Sequence, residues 1–406
     1  MAQDSSARSL FLLEEGLAFL NHGSFGARPR EVAAAQEALR REMEANPVEF
    51  LGRRSSALLE SALASLGAYL GSDPACLAFV PNATTAVNIA ARSVPLGPGD
   101  EVLGTDHEYG ACALAMRRAC AARGAAYRTL SVPLPWRGDA DFLSRLEDAL
   151  GERTRLLYLS QVTSPTALRF PVEEACRLAR SRGIVTVVDG AHAPGQLSLD
   201  LDALGADFYA GNCHKWMCAP VGSGFLRVER TFHESLDPLV ASWGLVADEE
   251  CGPAGISPHD AYAGRSALAR RLQWQGTRDI SAFLAVPAAI DFLSRHDGPG
   301  VAAGCASLAE DCAARCAALL GREPVSPQGS GLRMALVPLP PCEGTVLKRL
   351  LFERFRIEVP VTGHGDAAFL RVSFHLYNTE ADIQALLGAL EALFPGGKAC
   401  AEIGAA

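Results

Sequence analysis

The sequence has no apolar run approaching the length of a membrane helix, no dense block of Lys or Arg, no CxxC pair, no internal repeat and no low-complexity segment. The first absence excludes a membrane-spanning helix. The second, with a formal net charge of -9, argues against nucleic acid or an anionic membrane as the main partner. Twelve cysteines at irregular spacing supply neither a disulfide framework nor a zinc-ligand pattern, so the expectation is free thiols and no metal. The amino-terminal stretch lacks a basic leader region, and Glu14 and Glu15 break its apolar patch. No signal peptide is therefore expected, and a cytoplasmic location is. What is present, 406 residues at 49% hydrophobic and 20% charged, describes a globular protein with room for two domains and points to small-molecule chemistry.

Apolar runs of strand character alternate with amphipathic helical segments. The runs are 76–80, 101–105, 127–132, 156–159, 184–188, 207–210 and 224–228. Helices such as 111–123 and 172–181 lie between them, which predicts crossover connections and a largely parallel seven-stranded sheet in an α/β fold. Ahead of this array, Asn21 to Gly26 reads as a glycine-punctuated turn, and Pro29 as the first residue of a helix. Gly, Pro and acidic residues crowd into 236–270, too long for an ordinary connection, so this reads as a functional or interface loop. A helix over 280–293 follows. A smaller β/α unit then comprises strands 332–339, 357–361 and 369–374 and helices 344–355 and 380–393.

Two strand ends carry chemistry. The run 184–188 ends in Asp189, followed by Gly190, Ala191 and His192, and a carboxylate at the carboxyl end of a buried strand is where open α/β sheets place ligands. The run 207–210 delivers Asn212, Cys213, His214, Lys215 and Trp216. A lysine able to form a Schiff base, with an acid to partner a pyridinium nitrogen, is the pairing that pyridoxal phosphate (PLP) chemistry requires. Asp189 as a helix cap and Lys215 as a solvated loop residue are the plainer alternatives. After the run 76–80, Asn82, Ala83, Thr84 and Thr85 open a helix whose N–H groups suit a phosphate, although the same residues also make an ordinary cap. Tyr109 stands at another strand end, where its ring could stack on a planar group.

In order along the chain, LNHGSFG, NPVEFLGRR, NATTAVN, TDHEYGA, VTSPTA, VDGAHAPGQ, HKW, GTRDISAF and LRVSFHLYN resemble fold type I PLP enzymes of the class V aminotransferase group. The group includes cysteine desulfurases and C–S lyases, and the motifs are most similar to its isopenicillin N epimerase-like branch. The resemblance implies that Lys215 carries the cofactor, Asp189 keeps its ring nitrogen protonated and His192 contacts its phenolic oxygen. It further implies that Ala83 and Thr84 bind phosphate through backbone amides, with Asn212 and His214 on the other side. Tyr109 would cover the ring face, and Ser164 occupies the place of a desulfurase asparagine. Gly276 and Thr277 would reach the neighbouring subunit's phosphate, which implies a homodimer. Arg371 would hold a substrate α-carboxylate, with Asn21, His22 and Gly23 lining the substrate side. The chain is accordingly divided into a segment 1–26 at the active site, a large PLP-binding domain 27–285 and a small C-terminal domain 286–406.

One departure narrows the chemistry. Desulfurases need a nucleophilic cysteine on the loop before the arginine strand, and 361–368 contains none. After loss of an α-proton to Lys215, three outcomes remain: elimination of a β-substituent, epimerisation, or transamination. Elimination of a C–S bond from a cysteine-derived substrate is placed first and epimerisation second, with Tyr109 and His22 as candidates for the second base. A non-enzymatic role as a PLP-fold binding or regulatory protein is disfavoured by the joint presence of Lys215, Asp189 and Arg371.

Overall fold

A computed structural model describes residues 5–245 and 266–404. Its strands, in chain order, are β1 (Ala18–Phe19), β2 (Leu77–Val80), β3 (Glu101–Thr105) and β4 (Ala126–Leu130). There follow β5 (Thr154–Ser160), β6 (Val185–Gly190), β7 (Phe208–Asn212) and β8 (Gly224–Val228). The C-terminal part adds β9 (Met334–Pro338), β10 (Ile357–Glu358), β11 (Val361–His364) and β12 (Ala367–Ser373). Strands β2 to β8 form one sheet in the order β2-β8-β7-β6-β5-β3-β4. Every neighbouring pair from β7 to β4 is parallel, and β8 alone runs against its neighbours β2 and β7. The expected α/β architecture of fold type I is what the chain adopts.

The parallel pairing goes with burial of β3, β5, β6 and β7 on both faces, helices supplying the crossovers, while the edge strand β4 is largely exposed. The helix Val172–Ser181, for example, turns Val172, Ala175, Cys176 and Ala179 inward and its charged residues outward. Because the crossovers return each strand in the same sense, the carboxyl ends of β2, β3, β5, β6 and β7 share one edge of the sheet, where ligands bind in such folds.

A second, antiparallel sheet has the order β11-β12-β9, with the helix Pro299–Leu319 packed against it. The N-terminal segment is tied to this part of the chain: β1 pairs in parallel with β10, and Asn21 bridges to Ser373.

Several boundaries differ from expectation for identifiable reasons. The stretch from Asn21 to Gly26 is a short helix, His22–Phe25, and the next helix begins at Arg30 with Pro29 as its cap. The run 280–293 is two helices, Ser281–Leu284 and Val286–His296, because Pro287 has no N–H to continue the first ladder. The run 357–361 is likewise divided at Pro360, so Ile357–Glu358 joins β1 while Val361 starts a hairpin with β12. The expected loop 361–368 is thus mostly ladder. Of the long segment 236–270, residues 246–265 lie outside the described residues, and its end is the helix Ala267–Leu272. No helix among the described residues is long and apolar enough to cross a membrane.

Candidate active site

At the carboxyl edge of the large sheet lies a cleft of about 320 Å³, lined among others by Thr84, Tyr109, Asp189, His192, Asn212 and Lys215. Larger concavities elsewhere, such as the one bounded by Ala318, Arg322, Pro341 and Lys398, do not gather such groups. Two glycines let the chain close around Lys215: a Cβ on Gly26 would overlap the carbonyl of His214, and one on Gly195 the backbone of Trp216. Both adopt positive φ, which a side chain would resist.

Lys215 is half-buried, and desolvation, reinforced by the Arg371 guanidinium, lowers its ammonium pKa to about 8. Its Nζ lies 3.1 Å from His192 Nε2. Asp189, 3% exposed, accepts the Ala191 N–H at 3.0 Å and the Tyr158 hydroxyl at 3.3 Å. Burial pushes its carboxyl up, against these hydrogen bonds and the field of Lys215.

At the start of the helix Ala83–Ser93, Asn82 caps Thr85 N–H at 2.9 Å. The N–H of Ala83 donates to Asn212 Oδ1 at 2.8 Å, so it is engaged within the protein rather than aimed at a phosphate, a correction to its expected role. Thr84 N–H, between them, has no carbonyl one turn back. His214 donates from Nδ1 to the Ser223 carbonyl at 2.8 Å, and Tyr109, 47% exposed, stands at the mouth.

Arg371 sits behind this wall. Its guanidinium donates to the carbonyl and hydroxyl of Ser164 at 2.5 and 3.1 Å and to Ser24 Oγ at 3.2 Å, while its Nε has no partner. Burial without an acid lowers its pKa to about 10. A buried guanidinium held by neutral acceptors is suited to receiving an anion. Gly23 packs beside it.

His22 and Asn21, expected to line the substrate side, do not reach the cleft. His22 is wholly buried, between the Tyr377 hydroxyl at 2.8 Å and the Lys215 carbonyl at 3.0 Å, and burial together with His375 holds its pKa well below the usual value. It is a wall residue rather than a base. Asn21 binds Glu358 at 3.1 Å. Gly276 and Thr277 lie outside this chain's own cleft, Gly276 with φ of 90° and Thr277 exposed.

Sequence reasoning missed Ser24, Cys112, Ser160 and Glu108. Ser160 ends β5 directly beside Asp189, so the rule that selected Asp189, a polar residue closing an apolar strand, would also have found it. Its hydroxyl donates to Glu108 Oε2 at 2.6 Å, and Thr105 donates to Oε1 at 2.8 Å. Glu108 is buried, and that burial raises its pKa to about 8.

A half-buried lysine with a lowered pKa, a buried acid and a helix-end amide on one cleft fit PLP by their chemistry. Comparison with known proteins agrees. The model of the family described as aminotransferase class-V matches residues 24–386. Isopenicillin N epimerase of Amycolatopsis lactamdurans is 40% identical over 96% of this chain and 98% of its own length. A putative L-cysteine desulfhydrase of Oryza sativa subsp. japonica is 29% identical over 95% of this chain and 84% of its own. Among solved structures, a cystine C–S lyase in complex with cysteine persulfide shares the fold, with a TM-score of 0.79 at 22% identity, over 93% of this chain and 97% of that one. The chain belongs to the class V aminotransferase family and is a PLP-dependent enzyme acting at the α-carbon of an amino acid.

Proposed function

We propose that this protein is an amino-acid epimerase, removing an α-proton and returning one to the opposite face. The carrying observation is the 40% identity with isopenicillin N epimerase over nearly the whole chain, together with Lys215 and Asp189 on the cleft and Arg371 behind its lining residues Ser24 and Ser164. Bound PLP would supply a sink for the negative charge left on the α-carbon. The residues expected to hold it are Lys215, Asp189, His192, Thr84, Asn212 and His214, with Tyr109 over its face. Arg371 fixes the substrate carboxylate by exchanging its bonds to Ser24 and Ser164 for a bidentate pair. Lys215, its ammonium pKa lowered to about 8, is the group that accepts the α-proton. Tyr109, at the mouth, is the candidate for the second proton carrier.

Elimination from a cysteine-derived substrate is the second reading. His192 beside Lys215 at 3.1 Å supports it, because the pair could deliver a proton to a departing thiolate. The arrangement into residues 1–26, 27–285 and 286–406, and a cytoplasmic homodimer in which Gly276 and Thr277 serve the neighbouring site, complete the proposal. No disulfide joins the described cysteines.

Turnover in deuterated water separates the readings. Epimerisation gives deuterium at the α-carbon with inverted configuration and no keto acid. Elimination gives pyruvate and a thiol from S-substituted cysteines. Alanine with an enzyme-bound persulfide would overturn both. Lys215→Ala is expected to abolish turnover and borohydride-stable attachment of the cofactor, checked by peptide mapping.

A further inference from the structure

Two imidazoles hold Lys215, one at its backbone and one at its side chain. His22 Nδ1 accepts the Ala27 N–H at 3.3 Å, while its Nε2 lies 3.0 Å from the Lys215 carbonyl oxygen. An amide N–H can only donate and a carbonyl can only accept, so His22 carries its proton on Nε2. The same logic applies at the other end. Trp216 Nε1 donates to His192 Nδ1 at 3.4 Å, and an indole N–H has no acceptor capacity.

His192 is buried, and burial together with the neighbouring Lys215, Arg371 and His214 keeps it uncharged. A neutral imidazole that accepts at Nδ1 has its proton on Nε2. That N–H faces Lys215 Nζ at 3.1 Å, and the contact is a hydrogen bond when Nζ offers a lone pair. An ammonium there would set donor against donor. The other groups acting on Lys215 are Arg371, which disfavours the ammonium, and Asp189 and Cys112, which favour it. Trp216 has a rigid seat for this task, wholly buried and packed against the His22 ring at 5.0 Å between centroids.

We propose that Trp216 is a positioning residue: by donating to His192 Nδ1 it sets the tautomer that presents His192 Nε2–H to Lys215, which favours the uncharged amine form of the lysine that captures the cofactor. His192 is then a donor and not a base, which suits an acceptor oxygen on the cofactor. The assignment concerns cofactor capture and stands whichever reaction follows.

The test needs no turnover. In full-length protein freed of cofactor and labelled with 15N-histidine, His192 should show a protonated Nε2 and an unprotonated Nδ1. Trp216→Phe keeps the ring and deletes the donor. In that variant the fixed tautomer should be lost, and the pH midpoint for the rate of PLP uptake should move up by about one unit as Lys215 regains its proton. A residue that merely fills space would leave tautomer and midpoint unchanged, and that result would overturn the proposal. So would a wild-type His192 protonated on Nδ1, a measurement that stands even if the variant fails to fold.

Discussion

Around the cleft the two acids hold their protons more tightly than usual, and the two bases hold theirs less tightly. Glu108 rises to about 8 and Asp189 rises as well, whereas Lys215 falls to about 8 and Arg371 to about 10. Burial is the leading cause in all four, because desolvation disfavours whichever form is charged. The partners differ. Asp189 has an amide, a phenol and the field of Lys215 in its favour. Glu108 has hydroxyl and amide donors but no cation, and Asp189 works against its ionisation. Two carboxylates in one low-dielectric floor do not both ionise readily, so Asp189 is the anion and Glu108 the neutral neighbour.

That contrast can be broken in descending order of effect. Asp189→Asn removes the anion the acid side is built to keep, and kcat should fall by about a thousandfold or more, with fold intact by circular dichroism. Arg371→Lys keeps charge but loses the fork, so kcat/KM should drop roughly a hundredfold, chiefly through KM for the amino acid.

Glu108→Gln touches the neutral acid and should act mainly on stability. The folded-state pKa is raised from 4.5 to about 8, so the folded protein holds a proton that the unfolded chain releases. The stabilisation is therefore complete below pH 4.5 and is lost as pH rises toward about 8. The glutamine variant, which cannot ionise, should melt a few degrees above wild type at pH 8 and level with it at pH 4.5 in a series of thermal scans. A constant difference across that range would show Glu108 to be ionised throughout.

The sheet was legible because its strands are short apolar runs closed by glycine or polar residues, a pattern of local origin. Glu101 to Thr105 and Gly224 to Val228 fall where they were expected. Breaks at Pro287 and Pro360 were written in the sequence but overlooked, since the apolar pattern continues across both. Lys215 and Asp189 were found from strand ends, and the arginine from resemblance. The places of His22 and Glu108 depend on contacts with Tyr377 and Ser160, 355 and 52 residues away, which no local pattern encodes. The engagement of Ala83 with Asn212, 129 residues on, was hidden for the same reason.

The parallel pairing of Ala18–Phe19 with Ile357–Glu358, and the bridge from Asn21 to Ser373, bear on how the enzyme is made. Ser24 leaves the ribosome early, yet the strand that carries Arg371 is among the last to emerge. The substrate pocket is thus assembled from opposite ends of the message. A chain released before Arg371 would have the strands of the large sheet, Lys215 and Asp189, and so the residues expected to hold the cofactor. It would still have nothing to grip an amino acid, so an aborted translation product would be coloured but idle.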